Sequence, residues 1–598
     1  MTTKETSPKP GSNPVTYLFR MLWRYSDGNR RNVVIYWCMF VAANTLDYLA
    51  IPFLMAMVMD KVAEGVTAAT LSAIVILLIL KPLAEIGFWA FHGPARVIER
   101  LNAFKAKANY RAHLLKGVMK FPMAWHTDRQ SGDTIDRIEK GTQGLNNFAE
   151  SSFEVISLTI RLIVSVCVLA YFSLVSAAIA AIMIAISTWI TLRFDRVLIV
   201  QYKKLNHQEN RISASVFDAI SNITTVIILR VEKLIFEAIV RKICQPYSLF
   251  KKNAVINELK WFLINMVSTA MAVAILIIYI RQNVHSSEGV LVGNVFLLIR
   301  YVEQIGEVFY HFTRIYGDLV QYQSKVMNAE ELAEQFKPGN LTNHKLPVNW
   351  QTIEVRDLSF SYHNETAEPH LSRIAFSLAR GEHVAFVGES GSGKTTLLKI
   401  MRGLYQPLEL RLMVDGKRLS DGFDGICRDI TLVPQNPELF TTTILENITL
   451  GADYDPAKVR QYTDMACITD VIDKLPRAFE SSVNEKGVNL SGGQQQRLAL
   501  ARGLLACEGK SIVLLDEPTS SVDPANEIRI HQNIFKAFKD KAIISSVHRL
   551  YLLPLFDRIV MLKEGKILAT GTLEHLLAIC PEFKELWEQC SEQDNSTN

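Results

Sequence analysis

The chain has 598 residues, 49% of them apolar, with a mean hydropathy of +0.14 and a formal net charge of +4. That length exceeds what one hydrophobic core sustains, and the hydropathy argues against a wholly soluble protein, so at least two domains and a membrane portion are expected. The charge balance favours no partner class, and none of the eight cysteines forms a C-x-x-C pair, so neither a zinc site nor a disulfide framework is indicated.

The N-terminal residues 1–14 are polar and proline-bearing, without the apolar core of a cleavable signal or the Arg-rich pattern of an organelle presequence. From Val15 to Asn29 apolar and basic residues mix, which reads either as an amphipathic helix in the membrane interface or as a cytosolic linker.

Six apolar runs follow, each long enough to cross a bilayer: Val33–Met59, Thr70–Phe91, Phe153–Phe172, Val175–Leu192, Trp261–Ile280 and Val290–Tyr310. Three of the connections are short. The other two, Gly93–Ser152 and Arg193–Lys260, are long, helical in pattern and rich in Lys and Arg, which places them, the N-terminus and the second half of the chain on the cytoplasmic side. The reversals at Asp128–Arg137 and Asn222–Glu232 are candidates for docking onto the second half.

Charges inside a span each cost about 2.5–3.5 kcal/mol and therefore face protein or water. Asp47 falls in the first span, and Lys81 and Glu85 lie one turn apart in the second. In the sixth, Arg300, Glu303, Glu307, His311 and Arg314 recur on one helical face. Either the stripe lines a pathway for a polar or charged substrate, or it is an ion-pair lattice between helices.

Hydrophobic density falls after Lys325, giving an expected division into a tail (1–32), a six-helix membrane domain (33–335), a linker (336–349) and an α/β domain (350–598). Within the last, Gly388-Glu389-Ser390-Gly391-Ser392-Gly393-Lys394-Thr395 fits G-x-x-x-x-G-K-[ST] between an apolar strand and a helix opened by Thr396. Glycines there let backbone N–H groups converge on phosphate oxygens at a helix N-terminus; Lys394 reaches the β- and γ-phosphates and the Thr395 hydroxyl holds Mg²⁺.

Tyr362 can stack on an adenine ring, and the Gln435 amide can ligate or sense Mg²⁺. The apolar run Ser511–Leu515 ends in Asp516, suited to Mg²⁺, and Glu517, suited to polarise the attacking water. His548 follows another apolar strand and can contact the γ-phosphate. Leu490-Ser491-Gly492-Gly493-Gln494, ahead of a helix, offers a second set of N–H donors. One P-loop already supplies one cradle, so the second is expected to close over the nucleotide of another subunit.

With these motifs in hand, residues 350–580 resemble the ATP-binding domain of an ABC transporter, with Tyr362 as A-loop, Gln435 as Q-loop, Ser491–Gln494 in the signature, Ser520–Asp523 as D-loop and His548 as switch histidine. Ser521-Val522 replaces the usual Ala-Leu of the D-loop and leaves Asp523, counted with the nucleotide site, in place. The segment Asn484–Gly487 is similar to the loop through which exporter-type members contact their membrane helices, and residues 125–138 resemble the first cytoplasmic loop of that class. The resemblance implies an ATP-hydrolysing half-transporter of the multidrug and lipid exporter type, using ATP and Mg²⁺. It would pair with a second copy or a related chain, lie in a bacterial inner membrane among lipid, and bind no nucleic acid. It would export an amphipathic, lipid-like or polar substrate, a small molecule, lipid or peptide among them. Import by the same architecture, and service as one subunit of a heterodimer, are the alternatives.

Overall fold

Long apolar runs in this chain become long helices, two of which open on capping side chains, Thr67 and Ser173. The computed structural model describes residues 13–127, 131–284, 290–336, 345–362, 369–436, 438–483 and 490–596. It divides into two units, Met1–Phe121 with Arg129–Lys337, and Pro122–Asp128 with Pro338–Asn598.

The first unit is all helix: α1 (Pro14–Tyr25), α2 (Arg30–Thr45), α3 (Ile51–Ala63), α4 (Ala68–Val118), then, past the short α5 (Met123–Thr127), α6 (Ser131–Phe172), α7 (Leu174–Ser221), α8 (Ile223–Ile228), α9 (Glu232–Cys244), α10 (Tyr247–Asn283) and α11 (Val292–Ala333). At 51 residues α4 is about 75 Å long, more than twice the hydrocarbon thickness, so it carries the chain well beyond any membrane. The segment read as an interfacial helix or a linker is helical. Tyr17, Leu18, Met21 and Leu22 of α1 are buried, and α1 packs on α4, α6 and α11.

Helices α2 and α3 are joined by one π-turn, Leu46–Ala50, in which the Ile51 N–H reaches the Leu46 carbonyl. The cause is Pro52, which has no N–H to give the Tyr48 carbonyl four residues back and clashes with it in a straight helix. The buried Tyr301 hydroxyl of α11 donates to that carbonyl instead, at 3.1 Å.

By length and composition, five helical segments among the described residues suit a membrane span: Arg30–Ala63, Ala68–Val118, Gly132–Phe172, Leu174–Tyr202 and Glu232–Asn283. The expectation of six is therefore not met on this measure. The sixth run lies in α11, whose first turns carry Arg300, Glu303 and Glu307 and are too polar to qualify alone.

The second unit is built on two sheets. β1 (Thr352–Phe360), β2 (Leu371–Ala379), β4 (Glu409–Val414) and β5 (Lys417–Leu419) form an antiparallel sheet ordered β2-β1-β4-β5. The larger sheet runs β10-β9-β3-β8-β7-β6, from β3 (His383–Val387), β6 (Ile430–Val433), β7 (Ile512–Asp516), β8 (Ala542–Ser546), β9 (Arg558–Lys563) and β10 (Lys566–Gly571). All its pairings are parallel except β9 with β10.

Helices α12 (Lys394–Met401), α13 (Ile444–Thr449), α14 (Pro456–Met465), α15 (Thr469–Asp473), α16 (Gly492–Ala506), α17 (Pro524–Ala537), α18 (Leu573–Ile579) and α19 (Pro581–Ser596) complete the unit. Alternate residues of the parallel strands feed two cores: Val387, Val513, Leu515 and Ile543 on one face, and Val384, Phe386, Leu514 and Ile544 on the other. Burial on both faces explains why these strands read as unbroken apolar runs. Leu346, placed in the linker by sequence, already belongs to the second core, while residues 337–344 lie outside the described ones.

Candidate ATP site and membrane polar network

Four neighbouring parallel strands, β3, β8, β7 and β6, end on one side, and the site is assembled from the loops just beyond them, the usual ligand crevice of an open α/β sheet. The glycine loop leaves β3 and enters α12 at Gly393, whose φ of +103° is left-handed. A Cβ there would sit 2.5 Å from Leu371 Cδ2, the movable end of a side chain, so it is the left-handed conformation that demands glycine. The Lys394 Nζ folds over the loop and donates to the carbonyls of Gly388 at 2.7 Å and Glu389 at 3.1 Å. Burial pushes its pKa down, opposed by the Glu517 and Asp516 carboxylates. Glu389, Ser390 and Gly391 are exposed.

The Thr395 hydroxyl donates to Asp516 Oδ1 at 2.8 Å, and Ser546 of β8 donates to the same oxygen at 2.8 Å. Gln435 Nε2 donates to Glu517 Oε2 at 2.6 Å. Glu517 and the exposed His548 line one cavity of about 200 Å³, with Ser520, Glu527, His531 and Arg549. The Tyr362 hydroxyl lies 3.0 Å from Thr396 Oγ1, and its half-exposed ring stands edge-on to Phe360, His370 and Tyr405.

The polyphosphate fit rests on a feature of the loop itself. Ser392 is buried and, among the described residues, its hydroxyl has no hydrogen-bond partner, an expensive arrangement unless an acceptor arrives. Among the described residues no three His, Cys, Asp or Glu side chains converge as a metal cage. A cation here would have to be shared with phosphate oxygens, which suits the Thr395, Gln435 and Asp516 set.

Ser491 caps α16 in a reciprocal box: its Oγ accepts from Gln494 N at 3.3 Å while Gln494 Oε1 accepts from Ser491 N at 2.9 Å. Two N–H groups expected to face an anion are thus used within the chain. A Cβ on Gly493 would sit 2.5 Å from the Ser521 carbonyl, so this glycine allows α16 to touch the following loop, whereas Gly492 is open. Asp523 caps α17, accepting from Asn526 N and Nδ2, and these bonds hold its carboxyl below the usual range. The Asn484–Gly487 loop lies outside the described residues.

In the first unit, Arg300 pairs with Glu303 at 3.8 Å and Glu307 at 3.5 Å on its own helix. Arg161 of α6, missed in the sequence although it is a lone cation inside an apolar run, binds Glu307 at 2.7 Å and the Tyr48 hydroxyl at 2.9 Å. Tyr48 in turn meets Ser157 at 2.7 Å. Arg314 pairs with Glu154, and the His311 ring stands edge-on to Tyr310. Two of these pairs, Arg161–Glu307 and Arg314–Glu154, join α6 to α11, whereas Arg300 pairs only along its own helix with Glu303, which is 60% exposed, and Glu307. Of the two reversals, residues 128–130 lie outside the described ones, and 222–232 contains α8 with exposed Ile223, Ile227 and Ile228.

Comparison with known proteins gives the same pattern over most of the chain. The ABC transporter family profile matches residues 371–520, and that of the ABC transporter transmembrane region matches residues 34–307. The glutathione/L-cysteine transport system ATP-binding/permease protein CydD of Bacillus subtilis (strain 168) is 26% identical over 86% of this chain and 90% of that protein. The mitochondrial iron-sulfur clusters transporter ATM1 of Kluyveromyces lactis is 26% identical over 95% of this chain and 80% of that protein. A bacterial Atm1-family ABC exporter with ATP bound shares the fold at a TM-score of 0.76, with 22% identity over 94% of this chain and 99% of that one.

The chain belongs to the ABC transporter family. It is a multi-pass membrane protein in which an ABC transporter transmembrane region precedes an ATP-binding domain that hydrolyses ATP coupled to transport, and its fold is that of an ABC exporter.

Proposed function

We propose that two such chains form one transporter with two ATP sites, each made from the Gly388–Thr396, Gln435, Asp516, Glu517 and His548 side of one copy and the Ser491–Gln494 cap of the other. The observation that carries this reading is the meeting of Thr395 with Asp516 and of Gln435 with Glu517 at the ends of adjacent strands. Residues remote in sequence converge there as Mg²⁺ and water chemistry require.

Mg²⁺ held by Thr395 and Gln435 beside Asp516 would neutralise phosphate charge. Lys394 binds the phosphates, Glu517 takes a proton from the attacking water, Tyr362 carries the adenine, and His548 orients the γ-phosphate. Asp523 supports this site through the α17 cap.

Helix α11 is the sixth span, its charges shielded by Arg161 and by the partner copy, so that the membrane domain covers 33–335 and the ATP-binding domain 350–598. The exposed apolar residues of α8 support a docking role for 222–232. Glu303, paired with Arg300 yet 60% exposed, supports contact with a polar or charged substrate leaving the cytoplasm or inner leaflet across a bacterial inner membrane. A relative named for glutathione and L-cysteine transport makes these thiol compounds the first cargoes to assay. Uptake of such compounds into inside-out vesicles, driven by ATP, tests the direction; loss of preloaded compound instead would reverse it.

A further inference from the structure

Glu517 is held in a backbone conformation that an ordinary side chain rarely takes. Its φ is +43°, left-handed, immediately after strand β7. Such a geometry persists only where neighbours over-determine it. The Glu517 N–H donates to Ser546 Oγ at 2.9 Å, which fixes one side of the residue. The other side is fixed by Gln496 of α16, whose Nε2 donates to the Glu517 carbonyl at 3.2 Å.

The same carboxamide, 4% exposed, reaches three further groups. Nε2 lies 3.3 Å from the Gln435 carbonyl and 2.9 Å from Ser520 Oγ, while Oε1 accepts from Ser521 N at 2.7 Å. Gln496 therefore grips the backbone of both members of the Gln435–Glu517 pair, and also the loop that continues to Asp523. It stands two residues beyond Gln494, on the helix whose first turn is the Ser491–Gln494 cap.

We propose that Gln496 is a positioning residue for hydrolysis: it aims the Glu517 carboxylate by clamping its backbone to the signature helix. No other residue type offers an acceptor and two donor hydrogens at this reach. Glutamate keeps the acceptor but sets a carboxylate against two carbonyls. Asparagine keeps the amide on a stem one methylene shorter.

The inference rests on Glu517 being the base, and the test separates the two. Full-length chain in lipid nanodiscs is assayed for ATP turnover, KM and bound nucleotide, as wild type, Gln496→Glu, Gln496→Asn, Glu517→Gln and the Gln496→Glu/Glu517→Gln double variant. Gln496→Glu is expected to lower kcat by about 10- to 100-fold, with KM and nucleotide binding changed by less than about twofold, and Gln496→Asn to fall between it and wild type. In the Glu517→Gln background, Gln496→Glu should alter the residual single-turnover rate by less than about threefold, because it acts through the missing carboxylate. A wild-type kcat in Gln496→Glu, equal losses in both backgrounds, or a loss that tracks bound nucleotide would overturn the role. Should Gln496→Glu not fold, the same cycle is run with Gln496→Asn, with the same outcomes deciding. Wild-type turnover in Glu517→Gln would instead remove the base assignment, and this inference with it.

Discussion

Thr395 and Asp516 stand 121 positions apart and share a hydrogen bond of 2.8 Å, the hydroxyl donating to a carboxylate oxygen that also takes the Ser546 hydroxyl. The pair joins the first turn of α12 to the end of β7. Thr395→Ala removes the hydroxyl and one of these two donors. Turnover is expected to fall at least about tenfold, with a higher Mg²⁺ requirement, because one charge-assisted bond and the proposed metal ligand go together. A Mg²⁺ titration of ATP turnover checks this, and an unchanged titration midpoint would remove Thr395 from the metal site.

The second unit should lose stability in mild acid. His531 is buried among Phe535 and Phe556, and burial pushes its pKa down from 6.5 to about 4. The unfolded chain then binds the proton more readily than the folded one at pH values between those two. Stability is full above 6.5 and declines as the pH falls toward 4, by on the order of 2 kcal/mol at pH 5 from this residue. Thermal unfolding of the full chain at pH 7.5 and pH 5 should show the drop, and His531→Phe, a ring of similar size, should flatten it. An equal drop in that variant would assign the effect elsewhere.

Arg161 and Glu303 should separate structure from transport in the membrane unit. Arg161→Gln takes a cation from Glu307 and a donor from Tyr48, with a cost of about 1–3 kcal/mol once the partial exposure of Glu307 is allowed for. It should lower the unfolding temperature and leave nucleotide affinity intact. Glu303→Gln should leave the unfolding temperature within about 1–2 °C of wild type yet change which compounds stimulate turnover. Unaltered selectivity in Glu303→Gln would take that residue out of the substrate path.

The division of labour between sequence and structure follows from how far apart the partners are. Fold class was legible because two unlike periodicities share the chain: apolar runs of about 20 residues, and short apolar strands alternating with helices. The glycine loop, the Gln435 loop and the Asp516-Glu517 pair announce themselves because each follows its own strand locally. Gln496 does not, since its partners Gln435, Glu517 and Ser520 lie in other elements and a glutamine on a helix carries no local signal. Ser546 is hidden in the same way, as the last residue of an apolar strand.

In the membrane unit Pro52 is visible in sequence, but its consequence, a π-turn whose freed carbonyl is met by Tyr301, depends on a helix about 250 residues away. Helix α11 is left out of the five apolar span segments for a related reason: Arg300, Glu303 and Glu307 lie within its apolar run, and Arg161, which pairs with Glu307, comes from α6. The N-terminal helix was amphipathic as read, but its apolar face is covered by α4, α6 and α11, which no local pattern reveals.

The most direct measurement is ATP turnover by the chain purified alone in lipid nanodiscs, beside Glu517→Gln and Lys394→Ala. The account predicts Mg²⁺-dependent turnover in the wild type. Glu517→Gln should bind ATP and hydrolyse it at least about 100-fold more slowly, and Lys394→Ala should bind nucleotide at least about tenfold more weakly. Wild-type turnover in Glu517→Gln, or tight nucleotide binding in Lys394→Ala, would contradict it.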